Sequence, residues 1–290
     1  MLRLLIAAII SFLLLSICSC DPVSKSKKLP QHIVIGLLPD RTPEHMLKTH
    51  EALFTYISKM LGVSYDVIIP KDYDDLLNQF HAGEIDLAFF GGITFIKAMK
   101  QSGAVPLVMR NIDLDFISYL IVRTDSRLKS IDMLGNKSFS FGSLLSTSGH
   151  IMPRYYMKAL NISPENYFSK VQYSGSHTAT LENVINKVVD AGVLNSQVFE
   201  ASTIRRPVLN NELTVIWQSP PFPDYVWAIQ PKFGIDFNQK LVDAFMSITP
   251  ETPIGKKILK NQKADTFYPT SIADFAELEQ ALKLTESTND

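Results

Sequence analysis

Residues 32–69 read HIVIGLLPDRTPEHMLKTHEALFTYISKMLGVSYDVII, and this stretch decides the fold. It begins with an apolar, β-rich run, after which Thr42-Pro43-Glu44 supplies an N-cap, a first-turn proline and an early acid. Apolar residues then recur at helical spacing until Gly62, a residue type that favours a helix end. A second β-rich run covers Tyr65 to Ile69. The stretch therefore predicts a strand, a helix and a second strand.

The same alternation continues along the whole chain and then restarts. Further strands are predicted at Asp86 to Phe90, Val105 to Arg110, Phe116 to Arg123, Ser138 to Phe141, Val171 to Tyr173 and Tyr225 to Ile229. Helices are predicted near Tyr73 to Ala82, from Thr94, after Thr147, near Asn238 to Met246 and near Ile272 to Leu282. Such alternation predicts an α/β protein in which each of two lobes is a parallel, doubly wound sheet flanked by helices.

Two crossings should join the lobes, and we place them around residues 113–120 and 220–228. The first lobe would then be discontinuous, with residues 31–115 and 225–290, and the second would hold residues 116–224. Paired crossings permit hinge closure around a ligand. Open α/β sheets bind ligands outside the carboxyl ends of their strands, so the crevice between the lobes is the expected site.

The first twenty residues have the composition of an export signal. Arg3 gives a positive start, Leu4 to Ile17 form an apolar run, and a small residue precedes Cys20. The run is short for a transmembrane helix. We interpret residues 1–19 as a signal peptide, Cys20 as the lipidated cysteine of a bacterial lipoprotein and residues 20–30 as a tether. The alternative is a plain signal peptide with two incidental cysteines.

Residues around the predicted lipidation site also indicate the compartment. Asp21, directly after the cysteine, resembles the signal that keeps lipoproteins of some Gram-negative bacteria at the inner membrane. We therefore expect a periplasmic protein anchored to the cytoplasmic membrane. No cysteine follows Cys20, which excludes a disulfide framework and structural thiolate zinc.

Composition excludes partners that are recruited by overall charge. The chain has 290 residues, of which 28 are Lys or Arg and 29 are Asp or Glu, giving a formal net charge of -1. No global field would draw it onto nucleic acid, and any selectivity for anions must be local. We expect a monomer without a cofactor or bound metal.

The stretch FGSLLSTSGH, residues 141–150, links a buried strand to a helix through clustered hydroxyl groups. Free backbone N–H groups and the positive end of the helix dipole favour an oxyanion there, and Ser146, Thr147 and Ser148 add hydroxyl donors. A capping sequence without a ligand is the alternative, because serine and threonine are ordinary N-caps. Without Lys or Arg, such a cradle would select a tetrahedral anion by the direction of its neutral donors.

A second polar turn follows the next strand of the same predicted lobe. Tyr173-Ser174-Gly175-Ser176-His177 has small residues and a histidine at a strand-to-helix junction. His177 could donate to an oxyanion, and protonation near neutral pH would strengthen that contact. His150 is expected to point along its helix and is left outside the core site.

These motifs resemble the phosphonate-, phosphite- and related oxyanion-binding components of ABC importers, which have the type II periplasmic-binding-protein fold. The most specific pieces are Ser146-Thr147-Ser148-Gly149, Ser174-Gly175-Ser176-His177 and Ile216-Trp217-Gln218-Ser219-Pro220-Pro221. The resemblance implies that the oxyanion is gripped by one set of residues from the second lobe and enclosed by another set. The first set is Ser146, Thr147, Ser148 and His177. The second set is Phe89, Phe90, Gly91, Asn195 and Asp224, with Phe89 to Gly92 closing from the first lobe.

Two positions depart from the pattern that the resemblance implies. The resemblance implies that family members which bind aminoalkylphosphonates have a tyrosine near the position of Phe90 and an acidic residue near the position of Gln197. Losing a carboxylate removes the partner of a ligand ammonium, so a smaller guest such as phosphite, methylphosphonate or an isosteric anion is favoured. Asp224 would then accept a hydrogen bond from a protonated ligand oxygen.

Two other functions compete with import of an oxyanion through an ABC permease and its ATPase. Serine and histidine residues supply the ingredients of a nucleophile and base, but no Gly-x-Ser-x-Gly or phosphate-binding Gly-Lys-Ser motif is present, and we predict no enzyme. A ligand-sensing accessory protein that signals to a membrane receptor would need the same clamshell, and the sequence does not separate it from a transport component.

Overall fold

The computed structural model describes residues 29–286. The predicted signal peptide (1–19), the predicted lipidation site Cys20 and most of the predicted tether (20–30) lie outside the described residues, so these remain predictions. Within residues 29–286, no helix is long and apolar enough to cross a membrane.

Two β-sheets organise the described chain. The strands are β1 (His32–Leu37), β2 (Ser64–Ile68), β3 (Leu87–Phe90), β4 (Val105–Arg110), β5 (Ser118–Arg123), β6 (Ser138–Phe141), β7 (Lys170–Tyr173), β8 (Ala191–Asn195), β9 (Leu213–Gln218), β10 (Val226–Ile229) and β11 (Phe267–Pro269). The first sheet has the order β11-β4-β10-β3-β1-β2, and the second has the order β7-β6-β8-β5-β9. Two separate α/β units, as predicted, therefore share one chain.

Helices connect most of the strands. They are α1 (Pro43–Leu61), α2 (Tyr73–His81), α3 (Gly92–Ser102), α4 (Met152–Ala159), α5 (Pro164–Tyr167), α6 (His177–Ile185), α7 (Ser196–Arg205), α8 (Leu209–Glu212), α9 (Ile235–Met246), α10 (Pro253–Gln262) and α11 (Ala276–Glu286). The predicted cap at the start of α1 has the extended backbone of an N-cap, with Pro43 in the first turn. Gly62 ends α1 in the left-handed conformation, with φ of 66°. Strands β9 and β11 and helix α10 were not identified from the sequence.

The prediction of parallel sheets is correct for only part of each sheet. β1 pairs in parallel with β2 and β3, and β6 pairs in parallel with β7 and β8. β10 runs antiparallel to β3 and β4, and β5 runs antiparallel to β8 and β9. β5 and β10 are the first strands after each crossing between sheets. The chain enters each sheet at the carboxyl ends of the parallel strands, so β5 and β10 run in the opposite direction.

The crossings lie side by side between the two sheets. One follows β4 and leads into β5, and the other follows β9 and leads into β10. Phe116 and Phe222 form an antiparallel bridge in which each N–H donates to the other's carbonyl, at 2.8 and 2.9 Å. The N–H of Asp224 donates to the carbonyl of Asp113 at 2.9 Å. The lobe boundaries predicted at single residues remain a prediction.

Each sheet is fixed by apolar side chains on its faces. In the first sheet, the fully buried indole of Trp227 lies among the rings of Phe54, Phe89 and Phe245, with centroid distances of 4.9 to 5.9 Å. In the second sheet, Phe139 stacks on Phe168 at 4.3 Å. Burial of such rings is the main stabilising contribution, and it holds the strand ends that carry the polar turns in place.

Candidate anion-binding cleft

The hydroxyl-rich turn after β6 opens with an N-cap and a π-helical turn. Ser146 Oγ accepts a hydrogen bond of 2.9 Å from the N–H of Gly149, and the carbonyl of Ser146 accepts one of 3.0 Å from Ile151. π-Turns are rare and occur frequently at functional sites. Ser146, Thr147 and Ser148 are all buried, with exposed fractions of 2% or less. Ser146 therefore caps the helix, as the alternative interpretation required, and also stands with the two other hydroxyl groups in the cleft.

Glycine is required inside this turn by a close approach of its neighbours. A Cβ atom at Gly149 would lie 2.8 Å from Ser146 Oγ and 3.0 Å from His177 Cε1. Both distances are shorter than side chains normally tolerate. Gly149 therefore lets the hydroxyl turn and the His177 ring pack directly against each other.

His177 begins α6, and its ring is held in one tautomer. The N–H of Asn195 donates to His177 Nδ1 at 3.3 Å, so Nδ1 is the acceptor and the proton of the neutral ring is on Nε2. Burial lowers the pKa of His177 to about 4. Desolvation therefore opposes the protonation near neutral pH that was expected to strengthen an anion contact. His177 can act as a neutral N–H donor.

The first sheet supplies the facing wall, and two hydrogen bonds join it to the rest of the site. The N–H of Gly92 donates to Asp224 Oδ1 at 3.0 Å, and the N–H of Ile93 donates to Thr147 Oγ1 at 3.0 Å. A Cβ atom at Gly91 would lie 3.4 Å from the Asp224 carboxylate and 3.5 Å from Thr147 Oγ1. The start of α3 therefore contacts the hydroxyl turn. This contact is consistent with the prediction that Phe89 to Gly92 enclose the site from the first lobe.

Asp224 lies at the end of the second crossing and is 1% exposed. Burial raises the pKa of Asp224 to about 7, although hydrogen bonds from the Gly92 N–H and the hydroxyl groups of Thr147 and Ser148 act in the opposite direction. Both protonation states of the carboxyl group are therefore accessible near neutral pH. It can donate to an anion when neutral and accept from a protonated oxygen when ionised.

Tyr73 is a residue of this cleft that the sequence analysis did not identify as a site residue. Its ring is fully buried at the start of α2, and its hydroxyl contacts the side chain of Ser146. Burial and the nearby Asp40 and Asp224 raise the pKa of Tyr73 well above its usual value, so the phenol stays protonated and can donate. The turn before Tyr73 follows β2, so the strand-end rule applied to His177 could have found it.

The remaining predicted residues have different surroundings. The ring of Phe89 stacks on Tyr225 at 5.2 Å, whereas the ring of Phe90 packs edge-on against Phe80 at 5.1 Å. Asn195 Oδ1 accepts from the N–H of Val198 at 2.7 Å, and Asn195 Nδ2 donates to the hydroxyl of Tyr225 at 3.1 Å. Both polar atoms of the Asn195 side chain thus bind protein groups, and these bonds hold α7 and Tyr225; the predicted contact of Asn195 with a ligand stays a prediction.

A hydrogen-bond network of His150, Arg154 and Glu165 supports the hydroxyl turn. The ring of His150 contacts the carbonyl of Leu144 through Nδ1 at 2.7 Å and accepts from Arg154 Nε at 3.1 Å through Nε2. Arg154 also pairs with Glu165 through both terminal nitrogens, at 2.5 and 2.9 Å. His150 therefore braces the turn. Within residues 29–286, no group of three or more His, Cys, Asp or Glu side chains could hold a metal ion.

Comparison with protein families gives one match that covers most of the chain. Residues 35–275 match the model of the family described as "ABC transporter, phosphonate, periplasmic substrate-binding protein". The chain is 29% identical, over 93% of its length and 94% of the relative's, to the probable ABC transporter phosphite binding protein PhnD1 of Prochlorococcus marinus strain MIT 9301. It is 25% identical to the phosphonates-binding periplasmic protein of Escherichia coli K12, over 78% of this chain and 68% of that protein.

A solved structure extends the likeness to three dimensions. The structure of Prochlorococcus marinus PhnD1 in complex with methylphosphonate aligns with a TM-score of 0.83 and 28% sequence identity. The alignment covers 88% of this chain and 98% of that one. The two-lobe fold expected from the sequence is thereby confirmed.

Proposed function

Because the chain belongs to the family of periplasmic substrate-binding proteins of phosphonate ABC transporters, we propose that it captures a small tetrahedral oxyanion, phosphite or a phosphonate, between its lobes. It then delivers this anion to a membrane permease driven by an ATPase. The names of two relatives, a phosphite binding protein and a phosphonates-binding protein, support this class of ligand.

One observation carries the proposal: polar groups from both lobes converge on one buried point. Thr147 stands at this point, where it accepts from the Ile93 N–H and its hydroxyl bonds the Asp224 carboxylate. Ser146 and Ser148 lie in the same turn as Thr147. Tyr73 contacts the turn at Ser146, and His177 packs against it at Gly149. An oxyanion placed there would receive donors from both lobes at once, so its binding would stabilise the closed arrangement.

The chemistry of the donors favours a ligand that shares a proton. The hydroxyl turn and the neutral His177 offer directional donors but no fixed cation, which suits a protein that has to release its ligand. One proton between Asp224 and a ligand oxygen would complete the set. Phosphite and phosphonates can carry that proton near neutral pH, whereas a fully ionised tetrahedral anion would depend on the protonated form of Asp224.

We also propose that the protein is a binding component and not an enzyme, and that it is held at the outer face of the cytoplasmic membrane by lipid on Cys20. Family membership supports the binding role. The apolar run and the cysteine at its end support the anchor.

A thermal-shift screen tests the proposal directly. The full chain in detergent is heated with phosphite, methylphosphonate, 2-aminoethylphosphonate, phosphate, selenate or sulfate while the fluorescence of its two tryptophans is followed. We expect phosphite or methylphosphonate to raise the midpoint by mass action. A midpoint that none of these anions changes would contradict the binding role. If binding is found, uptake of the same anion by cells with and without the gene separates import from signalling.

A further inference from the structure

A second region of the structure is lined in part by residues that come directly after predicted ligand contacts in the sequence. Thr178 follows His177, and Tyr225 follows Asp224. These residues help to line two cavities of about 60 and about 260 Å³ that share Arg41 and His45. We call the two cavities together the vestibule. Its walls come from both lobes, because Arg41 lies between β1 and α1 and Lys263 follows α10, whereas Arg205 is the last residue of α7.

The vestibule concentrates positive charge in a chain that is nearly neutral overall. Side chains lining its two cavities include five cations and two carboxylates. The cations are Arg41, Arg110, Arg205, Arg206 and Lys263, and the carboxylates are Asp40 and Glu182. Some of this charge is compensated. Arg110 binds Asp113 with two contacts of 2.6 Å, Arg206 binds Glu182 at 2.7 Å, and Arg41 Nε lies 3.8 Å from an Asp40 carboxylate oxygen.

Arg205 and Lys263 are the cations that remain. Among the residues that the structure describes, neither forms an ion pair within 4.0 Å. Burial lowers the pKa of Lys263, and the nearby charges of Arg41 and Arg205 lower it further, against the opposing effect of Glu200. Burial and the same two arginines lower the pKa of His45, and Lys263 adds to this effect while Asp40 opposes it. Cations crowded in this way are stabilised by an anion between them.

Two residues that line the smaller cavity carry buried acceptor atoms. His50 Nε2 and Gln262 Oε1 lack a hydrogen-bond partner within the described part of the chain, and both residues line this cavity. Both atoms are acceptors, since His50 Nδ1 bonds the carbonyl of Met46 and Gln262 Nε2 donates to the carbonyl of Thr49. A buried acceptor without a donor is costly. An occupant with an O–H as well as negative charge would supply the donor that these acceptors lack.

The backbone holds Lys263 at the cavity in a conformation that glycine usually adopts. Lys263 is the C-cap of α10 with φ of 52°, in the left-handed region. Non-glycine residues are uncommon there, and such conformations concentrate at functional sites. Lysine in this position places an ammonium group beside Arg41 and His45.

We propose that the vestibule receives a second acidic group of the ligand, one that keeps an O–H, while the cleft holds the first; a monoprotonated second phosphoryl group is the chemical example. This inference rests on the proposed function and adds oxyanions with two acidic ends to its ligand class. The smaller cavity has room for about four water-sized atoms, which corresponds to one phosphoryl group. A ligand ammonium would instead meet the excess of cations.

Calorimetric titration of the full chain in detergent tests the inference with four probes: methylphosphonate, methylenebisphosphonate, phosphonoacetate and 2-aminoethylphosphonate. We expect methylenebisphosphonate to bind about tenfold more tightly than methylphosphonate, as one added charge-assisted contact would give. Phosphonoacetate, which brings charge without the O–H, should gain less, and 2-aminoethylphosphonate should bind more weakly than methylphosphonate.

Lys263→Gln and Arg41→Gln should each reduce the gain of methylenebisphosphonate and leave the affinity for methylphosphonate unchanged. Lys260→Gln, at an exposed position of the same helix, is the matched control and should keep the gain. Equal affinity for the two probes in the wild type, or a gain that survives both substitutions, would overturn the inference alone. Absence of methylphosphonate binding would overturn the proposed function and this inference with it.

Discussion

The side-chain oxygen of Thr147, in the turn that follows the second sheet's β6, accepts a hydrogen bond of 3.0 Å from the backbone N–H of Ile93 at the start of α3. The same hydroxyl bonds the carboxylate of Asp224. One side chain therefore contacts both the first lobe and the end of the second crossing. A change at this position should affect ligand binding and closure together.

Replacing Thr147 by valine keeps the shape of the side chain and removes its hydroxyl. We expect Thr147→Val to weaken binding of phosphite or methylphosphonate by about 1 to 3 kcal/mol, because a buried oxygen loses its donor. Calorimetric titration measures the change. Thr55→Val, at an exposed position of α1, is the control and should bind normally. An unchanged dissociation constant in Thr147→Val would remove this residue from the site.

Asp224 should make anion binding dependent on pH. Because burial raises the pKa of Asp224 to about 7, the carboxyl group is neutral below pH 7 and becomes negative above it. Binding a fully ionised oxyanion to the ionised carboxylate requires uptake of the shared proton, so the dissociation constant should rise above pH 7 by up to about tenfold per pH unit.

Asp224→Asn provides the comparison because its amide cannot ionise and can still donate. We expect this variant to bind the same anion with a flatter pH profile between pH 6 and 9. Using one ligand for both proteins cancels the titration of the ligand itself. Identical profiles in the wild type and the variant would show that Asp224 does not share the proton.

Gly149 should tolerate no side chain. In Gly149→Ala, the new Cβ would lie 2.8 Å from Ser146 Oγ and 3.0 Å from His177, so both groups have to move. We expect anion affinity to fall at least about tenfold, because directional donors lose their geometry. Gly142→Ala is a matched control in the same loop, since its Cβ would have no contact shorter than 3.5 Å. Equal loss in both variants would indicate a general defect of the loop.

The predicted anchor can be tested without the ligand. Cys20→Ser should abolish labelling of the protein by radioactive palmitate and release it from the membrane fraction, because acyl chains supply the affinity for the bilayer. Cys18→Ser, within the predicted signal peptide, should keep both the label and the membrane association. Labelling that survives Cys20→Ser would place the lipid on another residue, and a wild-type protein without label would exclude the anchor.

Local sequence patterns carried much of the fold. Thr42-Pro43 and Gly62 correctly marked the ends of α1 because caps act through neighbouring residues alone. The direction of β10 was not predictable in this way. It depends on the edge at which the chain re-enters the first sheet after the second crossing, which is a property of the whole topology.

The candidate site was predictable where its residues follow strands in a recognisable order. The hydroxyl turn and His177 come after neighbouring strands of one sheet, so the sequence could bring them together. The protonation state of His177 was not predictable, because it depends on burial by residues distant in the chain. The vestibule was also missed, since Arg41, Arg205 and Lys263 are far apart in sequence and meet only in the folded protein.

The bridge between Phe116 and Phe222 limits how the two lobes can move. The two crossings are hydrogen-bonded to each other, which opposes sliding of one crossing past the other. Pro221 and Pro223 flank Phe222 and fix their own φ angles, which stiffens one of the two crossings. We therefore expect any opening of the lobes to bend both crossings together, because the bridge and the two prolines couple them.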